Sequence, residues 1–307
     1  MTNYKNNQEN NTPFFSIVVP TYNRADFIPL TLQSIEAQTF TDYEVIIIDD
    51  ASTDQTAQAV APYINNAKIH YIRLPENRER GNARNVGAKN AKGNYITYLD
   101  SDDLLYPDSL AEAYEYAQKK PQIKLFHHLY HLINEEGKVI RKYDFPSLKN
   151  PLKAIAKGNF LSCIGVFLHK DVYQQIFWDE NRLLSGSEDY DYWLRVIGYT
   201  QTIGRIEKVL GAIRHHDQRS VQTQEYEKVR QRFLYFFEKI DQHPQYQIYK
   251  PYQHRIKSTL WLFLALTAWE NQQPLMAQQC LQEAKKIDKS VWTKKNFWSL
   301  WLKSKQL

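Results

Sequence analysis

Two cysteines in 307 residues, Cys163 and Cys280, stand far apart and outside any CxxC pair. That argues against a disulfide scaffold or a zinc module and suits a reducing compartment. No apolar run approaches the ~20 residues that a membrane-spanning helix needs. The opening stretch MTNYKNNQENNTP is polar and lacks the apolar region of a signal peptide, so residues 1–13 read as a flexible leader on a cytoplasmic protein. There is no internal repeat. A GxGxxG after the first strand and a GxxxxGK[ST] anywhere are both missing, so neither a dinucleotide fingerprint nor a P-loop is supported. What remains is an ordinary globular balance, 43% hydrophobic and 24% charged, long enough for one large domain or two.

The first third alternates strand and helix patterns. FSIVVPT (15–21), YEVIIID (43–49), KIHYIRL (68–74) and NYITYLD (94–100) read as apolar strands. Helices are expected between them: one with Ile28, Leu32 and Ile35 on a single face, one from Asp54 to about Ile64 capped by Ser52 or Asp54, and one over ERGNARNVGAKNA. Apolar strands alternating with helices predict a parallel sheet covered on both faces. Beyond Gln122 the pattern turns antiparallel, with Glu136-Gly137 as a turn. SEDYDYWLRVIG is helical, IGRIEKVLGAIRHH is a strand, and from about Glu225 only helical periodicity remains, broken near Asn271–Pro274.

In open sheets of this kind ligands collect beyond the carboxyl ends of the strands. PTYNR, DDAST, PEN and DSDD all fall there, so Asp49, Asp50, Asp100, Asp102 and Asp103 crowd one rim. Carboxylates this close need a cation or hydrogen-bond donors between them. They are hard oxygen ligands suited to Mg²⁺ or Mn²⁺, ions that take one or two protein carboxylates and fill their other positions with phosphate oxygens and water. A metal-bound diphosphate answers that requirement. DSDD alone is also common turn chemistry.

The stretches FSIVVPTYNRADFIPLTLQSIEAQTFTDYEVIIIDDASTDQT and ENRERGNARNVGAKNAKGNYITYLDSDDLLYPDSL together resemble the family 2 glycosyltransferases of the GT-A fold. The match runs from Phe15 to about Leu110 and continues more sparsely through SGSEDYDYWLR (185–195) and RHHDQRSV (214–221). It implies an α/β GT-A type Rossmann-like mixed sheet flanked by helices, followed by a helical C-terminal region. The implied domains are 14–222, with a nucleotide-binding half (14–110) and an acceptor-binding half (111–222), and 223–307.

The same resemblance implies an inverting transfer of a sugar from a nucleoside diphosphate donor, UDP-linked by preference. Pro20, Thr21 and Tyr22 would shape the base pocket, and Asp50 would accept the pyrimidine imide N–H. Asn77 would lie near the nucleotide, and Arg84 would face the base or diphosphate. Asp100 and Ser101 would lie by the ribose, and Asp102 would bind Mn²⁺ or Mg²⁺ with His216, His215 being the alternative ligand. Asp189 would be the base, and Glu188 would position the acceptor or brace its loop. Ile213 stands where the family has tyrosine, and the serine spacing after His216 is shifted by one.

Other charged residues read more plainly. Asp49 is expected to be structural, Asp103 to cap the next helix, Asp191 to be structural, and Arg24, Arg78 and Arg80 to be solvated. His127, His128 and His131 read as packing or surface residues. The tail from Lys285 onward interleaves lysine with Trp292, Phe297, Trp298 and Trp301. It reads either as a helix burying its own aromatics or as a peripheral contact with an anionic membrane, the latter preferred over nucleic acid. A homodimer through the C-terminal helices is equally open. The expected acceptor is a glycan or lipid-linked hydroxyl in surface polysaccharide or lipooligosaccharide assembly. A non-catalytic sugar-nucleotide or glycan-binding protein is the rival reading. A nucleotidyltransferase is disfavoured, because PTYNR stands where such enzymes carry a glycine-rich, lysine-bearing loop.

Overall fold

The computed structural model describes residues 12–217, 224–293, 297–298 and 301. The leader up to residue 11, the end of RHHDQRSV and the last residues of the tail lie outside them. The chain divides into two compact units. Unit 1 comprises residues up to 145 with 161–180 and 202–216, and unit 2 comprises 146–160, 181–201 and 217 onward.

Unit 1 holds the whole sheet. Its first strands, β1 (Phe15–Thr21) and β2 (Tyr43–Asp49), have the bounds that their apolar runs predict, and every residue in both is buried. With β3 (Ile69–Arg73) and β4 (Tyr95–Tyr98) they form a parallel block in the order β3-β2-β1-β4. Continuous apolar runs suit strands covered on both faces. One face is closed by α1 (Ile28–Glu36), whose Ile28, Leu32 and Ile35 join Phe15, Ile17 and Val19 in the core. The helix α2 (Thr56–Val60) stops earlier than its pattern predicts, because Pro62 cannot supply the N–H that another turn needs. The other face carries α3 (Glu79–Asn90), a helix poor in large apolar residues. It packs because it is small: a Cβ on Gly87 would lie 2.3 Å from a Val18 methyl.

Past β4 the sheet becomes mixed. A two-residue strand β5 (Leu104–Leu105) precedes α4 (Ser109–Lys119), and β6 (Leu125–Ile133) and β7 (Val139–Lys142) form the expected antiparallel pair. The chain then visits unit 2 as α5 (Pro151–Ile155) and returns as β8 (Val166–His169), antiparallel to both β4 and β6, followed by the turn α6 (Lys170–Tyr173). A second excursion, which includes α7 (Glu188–Thr200), leads to β9 (Gly204–Arg214). Against the antiparallel expectation, β9 pairs parallel with β6. A long crossover allows a parallel pair where a tight hairpin would not. His127 and His128 are buried in β6, where His128 Nε2 meets the Ser109 hydroxyl at 3.0 Å.

In unit 2, α7 is buried along nearly its whole length beside α8 (Tyr226–Gln242) and a 3₁₀ segment, Pro244–Tyr249. Asp191, the structural acid of the sequence reading, is fully buried there. It accepts two bonds from Arg195, at 2.6 and 2.9 Å, and contacts Lys239 and the Tyr246 hydroxyl at 2.5 Å each. Burial pushes its carboxyl up, but the charges of Arg195 and then Lys239 more than offset this and hold it below the usual range. The helices α9 (Gln253–Glu270) and α10 (Pro274–Ile287) form the hairpin expected around Asn271–Pro274. After them Trp292, Phe297 and Trp301 line a cavity of about 220 Å³ with Lys285. Among the described residues, no helix is long and apolar enough to cross a membrane.

Candidate active site

Parallel pairing brings the carboxyl ends of β1 to β4 to one edge, where the chain leaves the sheet in tight, pinned loops. Asn23 and Ala51 both adopt positive φ, 50° and 61°, immediately after Tyr22 and Asp50. Such backbone costs on the order of 1–3 kcal/mol for a residue like alanine and persists only where the surroundings hold it. Here they do: Asn23 donates its N–H to the Ser52 hydroxyl and accepts the N–H of Thr53, at 3.0 and 2.8 Å. Asp49 accepts the Ser52 N–H at 2.8 Å and the Tyr71 hydroxyl, which makes it the structural acid that the sequence suggests. Burial and the bond to Asp49 push the Tyr71 phenol well up.

On this braced edge Asp50 accepts the backbone N–H of Arg78 at 2.8 Å, and the Asn77 amide reaches the Asp50 carbonyl at 3.4 Å. Tyr22 is 42% exposed, available for stacking, while Pro20 and Thr21 are buried as the last two residues of β1. Arg84 emerges from α3 into the interior, 1% exposed. Its guanidinium lies over the Trp178 ring, 4.4 Å from the centroid, and donates to Asp100 at 2.7 Å. A cation held by a ring face and a carboxylate is fixed in place. Beside it Ser101 is buried, and Asp102 Oδ2 stands 3.1 Å from His216 Nε2. Phe27 stacks on the His216 ring at 4.0 Å, which sets its orientation. His215 has an exposed side chain, so His216 is the histidine brought to Asp102.

Two readings are corrected by this geometry. Arg24 is not a solvated charge: it keeps 17% exposure and its Nε stands 3.3 Å from Asp102 Oδ2. Asp103 does not cap the helix that follows. It accepts the Arg214 N–H at 3.2 Å, tying β9 to the acidic loop, and α4 begins after Asp108. Arg78 keeps the exposed side chain that was expected, while its backbone N–H serves Asp50. Arg24 sits inside PTYNR, two residues after Tyr22, and that proximity was the available signal. Trp178 had none, since its place under Arg84 depends on the return of the chain after β8.

Asp189 and Glu188 belong to unit 2, in the first turn of α7, where the helix N-terminus favours acids. Asp189 accepts the Asn159 side-chain amide at 3.0 Å and the Tyr190 N–H at 2.7 Å. Glu188 is buried and accepts the Gly186 N–H at 2.6 Å. Gly186 has φ +89°, and a Cβ there would lie 2.9 Å from the Arg232 guanidinium, so this turn requires glycine.

The donor set can be tested against a hard divalent ion. Two adjacent ligands on an octahedral ion with bonds of ~2.1 Å stand about 3 Å apart. His216 Nε2 and Asp102 Oδ2 are within hydrogen-bond reach at 3.1 Å, which is also about that spacing, and one carboxylate with one imidazole leaves the other positions for phosphate and water. The residues therefore fit the ion. Among the described residues, no group of three or more His, Cys, Asp or Glu side chains is placed to hold a metal on protein ligands alone.

The family model described as glycosyl transferase family 2 matches residues 16–177. The chain belongs to that family. An uncharacterized glycosyltransferase of Rickettsia conorii is 31% identical over 200 residues, 65% of this chain and 32% of the relative. The chain thus spans about a third of the length of the first curated relatives it matches, 32% in each case. TarS of Staphylococcus aureus, named poly(ribitol-phosphate) beta-N-acetylglucosaminyltransferase, is 40% identical over 102 residues, 32% of this chain and 18% of TarS. The structure of TarS 1–349 in complex with UDP-GlcNAc has a TM-score of 0.60 at 19% identity and covers 91% of each chain. A mannosyltransferase from Pyrobaculum calidifontis, in complex with GDP-Man and Mn²⁺, has a TM-score of 0.60 at 16% identity over 94% of this chain and 83% of its own. The two structural likenesses carry the fold, a GT-A type mixed sheet with a helical C-terminal region.

Proposed function

We propose that the chain is an inverting glycosyltransferase that moves a sugar from a nucleoside diphosphate donor, UDP-linked by preference, to a hydroxyl of a glycan or lipid-linked acceptor. The observation that carries this reading is the ordered set along one sheet edge: Asp50 with Tyr22, then Arg84 on Asp100, then Asp102 with His216. Base, ribose and diphosphate would each meet a matching group in that order. Both a UDP-sugar and a GDP-sugar are held by relatives of this fold, so the preference for uridine rests on Asp50 and Tyr22. Residues 14–110 would hold the nucleotide, and residues 111–222 would supply the acceptor side.

Asp102 and His216 would hold Mn²⁺ or Mg²⁺, which when bound supplies positive charge to the leaving diphosphate. The chain's own chemistry is a single displacement. The acceptor oxygen bonds to the anomeric carbon as the carbon–oxygen bond to the diphosphate breaks, and the electron pair leaves with the diphosphate. Asp189 would take the hydroxyl proton, with the Asn159 amide fixing the orientation of its carboxylate. Glu188 would act through the loop that it braces at Gly186.

TarS, by its name, modifies a poly(ribitol-phosphate), which supports a surface polymer as the class of acceptor. The lysines and tryptophans from residue 285 onward would favour an anionic membrane surface, where lipid-linked acceptors lie. The deciding experiment is a panel of UDP- and GDP-sugars assayed for Mn²⁺-dependent hydrolysis and transfer. Turnover with a UDP-sugar that is lost in Asp189→Asn, with donor binding kept, supports the reading. Donor binding without turnover in the unaltered chain would make it a sugar-nucleotide-binding protein instead.

A further inference from the structure

A cation already stands on Asp102, and it comes from the chain. Arg24 Nε lies 3.3 Å from Asp102 Oδ2, the same oxygen that His216 approaches at 3.1 Å. The root of Arg24 is fixed. Its backbone N–H donates to the Thr56 hydroxyl at 2.9 Å, and its carbonyl accepts the N–H groups of Phe27 and Ile28 at 3.0 Å each, opening α1. Its contact with Asp102 is weak by comparison with other pairs in this chain. Arg84 meets Asp100 at 2.7 Å and is 1% exposed, and Arg195 clamps Asp191 with two short bonds in a buried position. At 3.3 Å and 17% exposure, the Arg24 contact is longer than the 2.7–2.9 Å of a strong charge-assisted bond. Arg24 Nη1 also donates to the Asn23 carbonyl at 3.1 Å, so the guanidinium is held at more than one point, and the Asp102 contact, the longer of the two, is the one an incoming ion would replace.

We propose that Arg24 is the resident counter-cation of Asp102, yielding the carboxylate to a divalent ion and turning to the donor diphosphate, so that ion and nucleotide bind cooperatively. This rests on the reading of Asp102 as a metal ligand. A guanidinium and a divalent ion repel when they share one carboxylate oxygen, so in the nucleotide-free protein the ion must displace Arg24. A diphosphate brings the negative charge that a displaced guanidinium binds best, as a planar fork. Each ligand thereby removes a cost of the other, and the coupling is the same read from either side. Arg24 is thus a positioning and specificity residue for diphosphate-bearing ligands.

The test is Mn²⁺ titration of the full chain, followed by the electron paramagnetic resonance of free Mn²⁺, without nucleotide and with saturating UDP. In the unaltered chain UDP is expected to tighten Mn²⁺ binding by about tenfold or more. Arg24→Gln is expected to bind Mn²⁺ about fivefold tighter without nucleotide and to bind UDP more weakly, so that the tightening by UDP shrinks. Arg24→Lys, which keeps the charge and loses the fork, is expected to retain the weak nucleotide-free Mn²⁺ affinity and lose part of the UDP affinity. Thermal melts establish that each variant is folded. Unchanged or weaker nucleotide-free Mn²⁺ binding in Arg24→Gln, or undiminished coupling, overturns the proposal. Asp102→Asn separates the two failures. If it abolishes Mn²⁺ binding while Arg24→Gln does nothing, the Arg24 proposal alone falls. If Asp102→Asn leaves Mn²⁺ binding intact, the metal reading falls and the proposal with it.

Discussion

His216 Nε2 lies 3.1 Å from Asp102 Oδ2 although 114 positions separate the two residues in the chain. The separation suits adjacent ligands of one octahedral ion, so the two should fail together. Asp102→Asn and His216→Gln are each expected to lower turnover about a hundredfold or more, the equivalent of several kcal/mol of lost charge stabilisation. Combining them should add little. Full turnover in either variant at low Mn²⁺ would remove the pair from the mechanism.

Asp189→Asn keeps the shape of the side chain and loses its basicity. Turnover is expected to drop by about 10²–10⁴ with the donor dissociation constant unchanged. Asn159 donates to this carboxylate at 3.0 Å, so Asn159→Ala should cost about tenfold in kcat through misorientation alone. Single-turnover kinetics beside donor titration would show whether the loss is in the chemical step.

Arg84 is held between the Trp178 ring and Asp100, a geometry that a lysine ammonium cannot reproduce. Arg84→Lys is expected to weaken UDP binding about tenfold and to lower stability by about 1–3 kcal/mol, the cost of leaving a buried group unsatisfied. Calorimetric titration and chemical denaturation report the two effects separately. An unchanged UDP affinity would leave Arg84 with a structural role only.

Unit 1 should lose stability in acid through two buried histidines. Burial, and for His127 the neighbouring Arg205 charge, push His127 down to about 3 and His128 down to about 4, against an ordinary 6.5. Both are neutral in the folded state near pH 5, while the unfolded chain binds protons there. Stability is therefore full above pH ~6.5 and declines as pH falls toward about 4. For His128 a shift of about 2.5 units corresponds to about 3 kcal/mol across that window. His128→Gln, less stable overall, should show a shallower decline between pH 6.5 and 4 in urea unfolding. A slope equal to that of the unaltered chain would show that other groups carry it.

Asp191 should matter to stability alone. Its removal leaves Arg195 and Lys239 without the buried carboxylate that they share, so Asp191→Asn is expected to cost about 3–5 kcal/mol. Because its folded carboxyl lies below the usual range, its contribution is present above the unfolded value and is lost as pH falls through the folded one. Any soluble Asp191→Asn protein should keep its donor affinity.

The local elements were readable in the chain because each rests on short-range physics. Strands β1 and β2 begin and end where their apolar runs do, and the face of α1 is the 3.6-residue stripe of Ile28, Leu32 and Ile35. The acidic rim followed from strand direction, since parallel strands put their carboxyl ends on one edge. Other features had no local trace. The burial of α3 depends on small residues meeting Val18, and the parallel pairing of β9 with β6 depends on an excursion through unit 2.

Residue order along the chain thus carried the fold class, the bounds of β1 and β2 and the motifs PTYNR, DDAS and DSD, because hydrophobic period and residue chemistry are local properties. Folding alone brought His216, which the resemblance already favoured over His215, to 3.1 Å from Asp102, turned Arg24 from a solvent charge into the partner of Asp102, and set Trp178 beneath Arg84. Those outcomes depend on which distant segments meet and at what angle, and side-chain electrostatics at 3 Å is sensitive to both.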